Sequence, residues 1–240
     1  PTDAVLMSSR SRITAFLPAF AFALGLAVVG WIAIGYIGSN TLALAAALLI
    51  GACYLAGGLE LLRYRRATTT LAEGVAQLRE PPASLDTWLG GLDAGLRNAV
   101  RLRIEGGRVA LPVPAITPYL VGMLVLLGML GTLLGMMVML RGTGMALETA
   151  TDLQAIRDSL AAPIRGLGVA FGTSIAGIAT SVMLGLASAL LRRERAHVVQ
   201  QLDVAAATTL RTHSQAHQRE ETLRLLQQQT EVMPALVERL

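Results

Sequence analysis

Two charge-free stretches, VALPVPAITPYLVGMLVLLGMLGTLLGMMVML (residues 109–140) and GLGVAFGTSIAGIATSVMLGLASALL (residues 166–191), decide the fold class of this chain. They run for 32 and 26 residues without an ionisable acid or base, and about 20 mostly apolar residues suffice for a helix to cross the hydrocarbon core of a bilayer. Within them lie Thr132 on the first stretch and Thr173 with Ser174 on the second, hydroxyls set among aliphatic side chains.

Outward from this pair, a third charge-free block covers residues 13–59, 47 residues in all. It is too long for one span, and Gly35, Gly38, Ser39 and Asn40 interrupt it with the composition of a turn. The pattern predicts four transmembrane helices at about 13–37, 41–62, 116–140 and 166–191, an all-α polytopic membrane protein. Hydrophobic residues make up 53% of the chain and mean hydropathy is +0.56, in keeping with that class. A secretory signal has one short apolar core and then a soluble chain, so the later spans argue that the first segment is retained. Arg10 and Arg12 precede the first span, Arg63, Arg65 and Arg66 follow the second, Arg97, Arg101, Arg103 and Arg108 precede the third, and Arg192, Arg193 and Arg195 follow the fourth. All four groups fall on one side. By the positive-inside rule that side is cytoplasmic, with both termini there. In the loop at 141–165, expected on the periplasmic side, three arginines are balanced by Glu148, Asp152 and Asp158.

This organisation predicts an N-terminal transmembrane pair at 1–62, a cytoplasmic helical linker at 63–115, a second transmembrane pair at 116–191 and a cytoplasmic helical tail at 192–240. In the linker, Pro81 and Pro82 separate two helical halves, and Leu85, Trp88, Leu89, Leu92 and Leu96 recur at helical spacing, as in a helix packed on the membrane domain. Pro112, Pro114 and Pro118 lead into the third span, where proline is tolerated at a first turn. In the tail, Val198, Leu202, Leu210, Leu223 and Leu226 lie among Gln, Glu and Arg, so the fourth helix is expected to continue into the cytoplasm. The chain starts without methionine and stops inside a helical pattern, and it is expected to continue at both ends, with a coiled coil that Pro234 interrupts.

The net charge of +4 and pI near 10.0 do not indicate nucleic acid, because the arginines flank spans and topology accounts for them. Cys53 is the only cysteine and lies inside the second span, which excludes a disulfide framework. His213 and His217 have a spacing that can share a metal, but no third ligand stands near them, so they are expected to be a solvated helix face. No metal or cofactor is expected. There is no HExxH, P-loop or Cys-His constellation to suggest an enzyme.

If the third and fourth spans cross the bilayer in opposite directions, Thr132 lies about 12 Å from the outer end of one, and Thr173 and Ser174 lie at a similar depth on the other. Small residues surround them: Gly128, Gly131 and Gly135 on the third span, Gly168, Gly172 and Gly177 on the fourth. Gly131 with Gly135, and Gly168 with Gly172, have the GxxxG spacing of closely packed membrane helices. Two readings fit: an ion path lined by hydroxyls, or hydroxyls that bond to the carbonyl one turn back in an inert bundle. A proton path usually needs an ionisable group inside the membrane, and here none of the four spans carries one in its interior. Glu60 sits at the inner end of the second span beside Arg63. A conducting chain would therefore take its titrating group from a partner.

The runs LLGMLGTLLG (126–135) and APIRGLGVAFGTSIAG (162–177) resemble the signature of the MotA/TolQ/ExbB proton-channel family over about residues 116–200. The four-span topology is similar to the flagellar stator branch, and the N-terminal pair and tail are similar to the ZorA-type branch with its long coiled-coil tail. The resemblance implies a stator A subunit in the bacterial inner membrane. It implies a homopentamer around a dimer of a single-span B subunit that carries a transmembrane aspartate and a peptidoglycan-binding domain. It maps Thr132 onto the pore threonine. The family pattern of a hydroxyl three residues before glycine selects Ser174 ahead of Gly177, with Thr173 as the adjacent candidate. Relatives that energise TonB carry a glutamate five residues before that hydroxyl; here Val169 stands there, against an ExbB-like role. The transported ion, H⁺ or Na⁺, and the work driven, whether anti-phage defence, motility or envelope transport, stay open. The alternatives are a non-conducting scaffold with a cytoplasmic stalk and a small-solute transporter, and no inverted repeat with broken helices favours the transporter.

Overall fold

The computed structural model describes residues 2–38, 41–78, 82, 84–107, 109–149, 153–210, 222–224 and 226, of which 2–15, 138–139, 141–149, 153–166 and 169 are described by backbone alone. Every element among them is an α-helix: α1 (Thr2–Tyr36), α2 (Thr41–Ala76), α3 (Leu85–Gly90), α4 (Ala94–Ile104), α5 (Thr117–Thr149) and α6 (Leu153–Ala207). Four of them, α1, α2, α5 and α6, are long and apolar enough to cross a membrane. The chain is an all-α, multi-pass membrane protein. At 1.5 Å per residue the 36 residues of α2 and the 55 of α6 extend about 54 Å and 82 Å, well beyond a hydrocarbon core of about 30 Å.

These lengths correct the expected boundaries. The second helix does not stop at residue 62 but continues to Ala76, because nothing between them breaks a helix and Tyr64, Ala67, Thr68 and Leu71 keep one face buried. The segment 141–165, expected as a loop, is helical up to Thr149 and again from Leu153, with Pro163 inside α6. Loss of hydrophobicity at Arg141 marked the end of the apolar run, not of the hydrogen-bonded helix. The single helix expected from Leu85 to Leu96 is two, α3 and α4. Gly90 and Gly91 end the first, and the Asp93 carboxylate caps the second by accepting from the Gly95 N–H at 2.9 Å. Pro118 falls in the first turn of α5, as its ring requires. Ser39, Asn40, Pro81, Arg108, Asp152, His213, His217 and Pro234 lie outside the described residues.

The chain divides into two compact units, Pro1–Arg63 with Pro114–Leu191, and Tyr64–Val113 with Arg192–Leu240. In the first, α1 and α2 cross where the Tyr54 hydroxyl donates to the Phe22 carbonyl at 2.9 Å and the two rings stack. Gly57 admits Leu184 and Leu120, so that α2, α5 and α6 meet at one point.

The second unit has its own apolar core, in which Leu71 of α2, Leu89 of α3, Leu92 between α3 and α4, Leu96, Val100 and Ile104 of α4, and Val198 and Leu202 of α6 are buried together. Trp88 closes one side by donating from Nε1 to the Gly74 carbonyl at 3.0 Å. Arg103 grips Asp203 through two bonds of 2.6 and 2.9 Å. Asp203 lies 12 residues past Leu191, the end of the apolar run of α6. The hydrogen bond from Arg103 holds the Asp203 carboxyl below the ordinary aspartate range and pushes the Arg103 guanidinium further up. Gly106, at φ +103°, ends α4 in a conformation that suits glycine.

Candidate functional site

The residues singled out by sequence sit where α5 and α6 pass each other within the first unit. The contacts run in opposite order along the two helices, which makes the pair antiparallel. Ser181 donates from Oγ to the Val121 carbonyl at 2.8 Å, Gly177 faces Leu124 and Gly128, Gly131 faces Thr173, and Gly135 faces Ala170. A Cβ placed on Gly177 would stand 2.6 Å from the Leu124 carbonyl oxygen and 2.7 Å from the Gly128 Cα. A Cβ on Gly135 would stand 3.0 Å from the Ala170 nitrogen. Only hydrogen side chains let the backbones approach this closely, and the gain is dispersion and Cα–H···O contact rather than hydrophobic burial.

This register fixes the level of the hydroxyls. Thr173 is buried at 1% exposure, packed on Gly131, and its Oγ1 donates to the Ala170 carbonyl at 3.1 Å. Thr132, next to Gly131, is half-buried and donates to the Gly128 carbonyl at 3.0 Å. Ser174 is half-buried, and its carbonyl lies against Gly128. The crossing thus brings Thr132, Thr173 and Ser174 to one layer. It separates them by environment: Thr173 is enclosed between the helices, whereas Thr132 and Ser174 are partly open.

The glycines divide in the same way. Gly128, Gly131, Gly135 and Gly177 form the crossing. Gly168, expected to pack, has open space around its would-be Cβ, and Gly172 faces the Tyr36 hydroxyl of α1 rather than α5. Among the described residues Gly168 and Gly172 therefore form no GxxxG seam with α5, and of the two only Gly172 meets another helix, α1.

Tyr36 is the residue that sequence reasoning missed at this layer. It is buried among Ile32, Ala33, Ala43 and Ala47, and its hydroxyl is in hydrogen-bond contact with the Thr173 backbone. A tyrosine at the end of an apolar run reads as an interface anchor, and its partner is 137 positions away along the chain.

Two further polar groups were seen in the sequence but not their roles. Glu60 accepts from the N–H groups of Ala115 (2.9 Å), Ile116 (3.0 Å) and Thr117 (2.6 Å) and from the Thr117 hydroxyl (2.5 Å). It caps α5 from another helix, taking up N–H groups that a helix start leaves without partners. In the second unit, Arg195 is 4% exposed. It donates from Nε to Thr68 Oγ1 at 2.9 Å and from its terminal nitrogens to the carbonyls of Pro112 and Tyr64 at 2.7 and 3.0 Å, lying over the Tyr64 ring. Burial pulls the Arg195 pKa down from its ordinary value, and Tyr64, whose ring lies under the guanidinium, and the Asp93 carboxylate oppose that shift.

Among the described residues no three His, Cys, Asp or Glu side chains come together as metal ligands. No protein-family model matches the chain, and no curated protein or solved structure matches it either.

Proposed function

We propose that this chain is the A-type subunit of an ion-driven stator, which couples flow of H⁺ or Na⁺ across a bacterial inner membrane to mechanical work. The observation that carries the reading is the α5 and α6 crossing, where glycines lock two antiparallel helices and leave Thr132 and Ser174 half-buried at one level. Neither charge-free stretch offers an ionisable acid or base there, so the ion-carrying group comes from a partner. Five copies would surround two single-span partner helices, each with an aspartate. An ion entering from outside neutralises the aspartate, passes the ring of Thr132 and Ser174 hydroxyls and leaves to the cytoplasm. A buried charge is costly unless paired, so each neutralisation changes the interface that the aspartate prefers. The mismatch between five and two sites converts that change into rotation. Torque would leave through the cytoplasmic part of α6.

One observation favours a second reading. Thr132 and Thr173 already bond to carbonyls of their own helices, which is what an inert scaffold would need. Co-reconstitution with the product of an adjacent reading frame that encodes a single span with an aspartate separates the two. Ion flux that depends on that aspartate supports the stator. A stable complex without flux supports the scaffold.

A further inference from the structure

Seven of the nine described arginines of the second unit fall into two groups that do different things. Arg195 is buried and used on Thr68, Tyr64 and Pro112. Arg103 and Arg101 are paired with Asp203 and Asp86, and Arg97 donates to the carbonyls of Leu92 and Gly90. These four hold the fold. Arg66 on α2 and Arg192 and Arg193 on α6 are exposed and take part in neither of these two ion pairs.

The position of that second group along its helices is specific. Arg192 and Arg193 follow Leu191 directly, and Arg66 comes four residues after Leu62. At 1.5 Å per residue all three stand within about 6 Å of the last apolar residue. The headgroup layer on each face of a bilayer is about 5–8 Å deep. In a bilayer whose hydrocarbon core ends at Leu62 and Leu191 their guanidinium groups would lie at headgroup depth, where a fork of N–H donors matches the oxygens of a phosphodiester.

We infer that Arg66, Arg192 and Arg193 form a collar that binds the headgroups of anionic phospholipids at the cytoplasmic leaflet. The inference does not depend on ion conduction. A conducting stator and an inert scaffold would both carry the collar. The occupant is lipid rather than free phosphate because the three exposed side chains follow the ends of two apolar runs, on α2 and α6, where a bilayer surface would meet them. Each basic residue near an anionic surface is worth about fivefold in affinity at moderate salt.

The test uses the full chain in nanodiscs of phosphatidylcholine, with and without an equal part of phosphatidylglycerol, read by thermal unfolding and by the lipid retained after detergent exchange. The wild type is expected to unfold at higher temperature with phosphatidylglycerol and to retain it selectively, an effect weakened by salt. The triple substitution R66Q, R192Q and R193Q should lose both preferences. The triple substitution R66K, R192K and R193K should keep most of them. R224Q, on an exposed arginine 33 residues past Leu191 along the chain, should change neither, and inorganic phosphate should not replace the lipid. Should the glutamine triple fail to fold, the three single substitutions carry the test, each with about a fivefold loss of retention. Equal behaviour in both lipid mixtures, full preference in the glutamine variants, or replacement by inorganic phosphate would overturn the collar.

Discussion

Gly128 on α5 and Gly177 on α6 meet backbone to backbone: a Cβ added to either would lie within 3.1 Å of the other's Cα. This contact sets the register that levels Thr132 with Thr173 and Ser174, so its disruption should be felt in stability and, under the proposed function, in ion flux.

Gly177→Ala puts a methyl group against backbone that cannot yield cheaply, and overpacking of this kind costs about 1–3 kcal/mol. Gly168→Ala, into open space, should stay within about 0.5 kcal/mol. Thermal unfolding in detergent compares them. Equal effects would show that the two glycines do not differ as the crossing requires.

Glu60→Gln replaces an oxygen that accepts by an amide nitrogen that donates, opposite the N–H groups of residues 115–117. Losing charge-assisted bonds at the start of α5 should cost roughly 1.5–3 kcal/mol. Hydrogen exchange at the first turn of α5 should accelerate in the variant, while exchange in α3 and α4 is unaffected.

Arg195→Lys keeps the charge but not the fork. A single ammonium cannot serve Thr68, Tyr64 and Pro112 together, and each buried acceptor left without a donor costs about 1–3 kcal/mol. The variant should unfold earlier than wild type in urea. An unchanged midpoint would mean that the three bonds add nothing to stability.

Asp203 gives a pH signature. Its carboxyl is held below its unfolded value by Arg103, so its contribution is complete above about pH 4 and disappears as pH falls through the lower, folded value. Asp203→Asn should therefore flatten the acid limb of the unfolding curve and change little at neutral pH beyond a constant offset. The effect is modest because the carboxylate is 46% exposed.

The charge-free runs made the four spans legible, since a bilayer selects on composition alone and the arginines mark its edge. Where helices outran the apolar runs, as from Arg63 to Ala76 and from Arg141 to Thr149, composition was silent because hydrogen bonding continues through polar side chains. The layer of Thr132, Thr173 and Ser174 could be placed by counting residues from the span ends. Tyr36 could not, because its contact with Gly172 depends on how α1 leans on α6. Neither could the inertness of Gly168, since GxxxG spacing says which residues are small and not which face meets a neighbour. Glu60 and Arg195 were visible as charges, but only the fold shows them spent on the start of α5 and on the segment at Pro112.

Ion flux through vesicles carrying the chain with the proposed aspartate-bearing partner is the most direct test of the central claim. The double substitution of Thr132 and Ser174 to Ala should reduce flux at least tenfold, a loss of about 1.4 kcal/mol or more in the barrier step, with assembly intact. Thr180→Ala, which removes a buried hydroxyl bonded only to its own helix at Ala176 and Gly177, should leave flux near wild type. Undiminished flux in the double variant, or equal loss in Thr180→Ala, would contradict the assignment of Thr132 and Ser174 as the lining of an ion path.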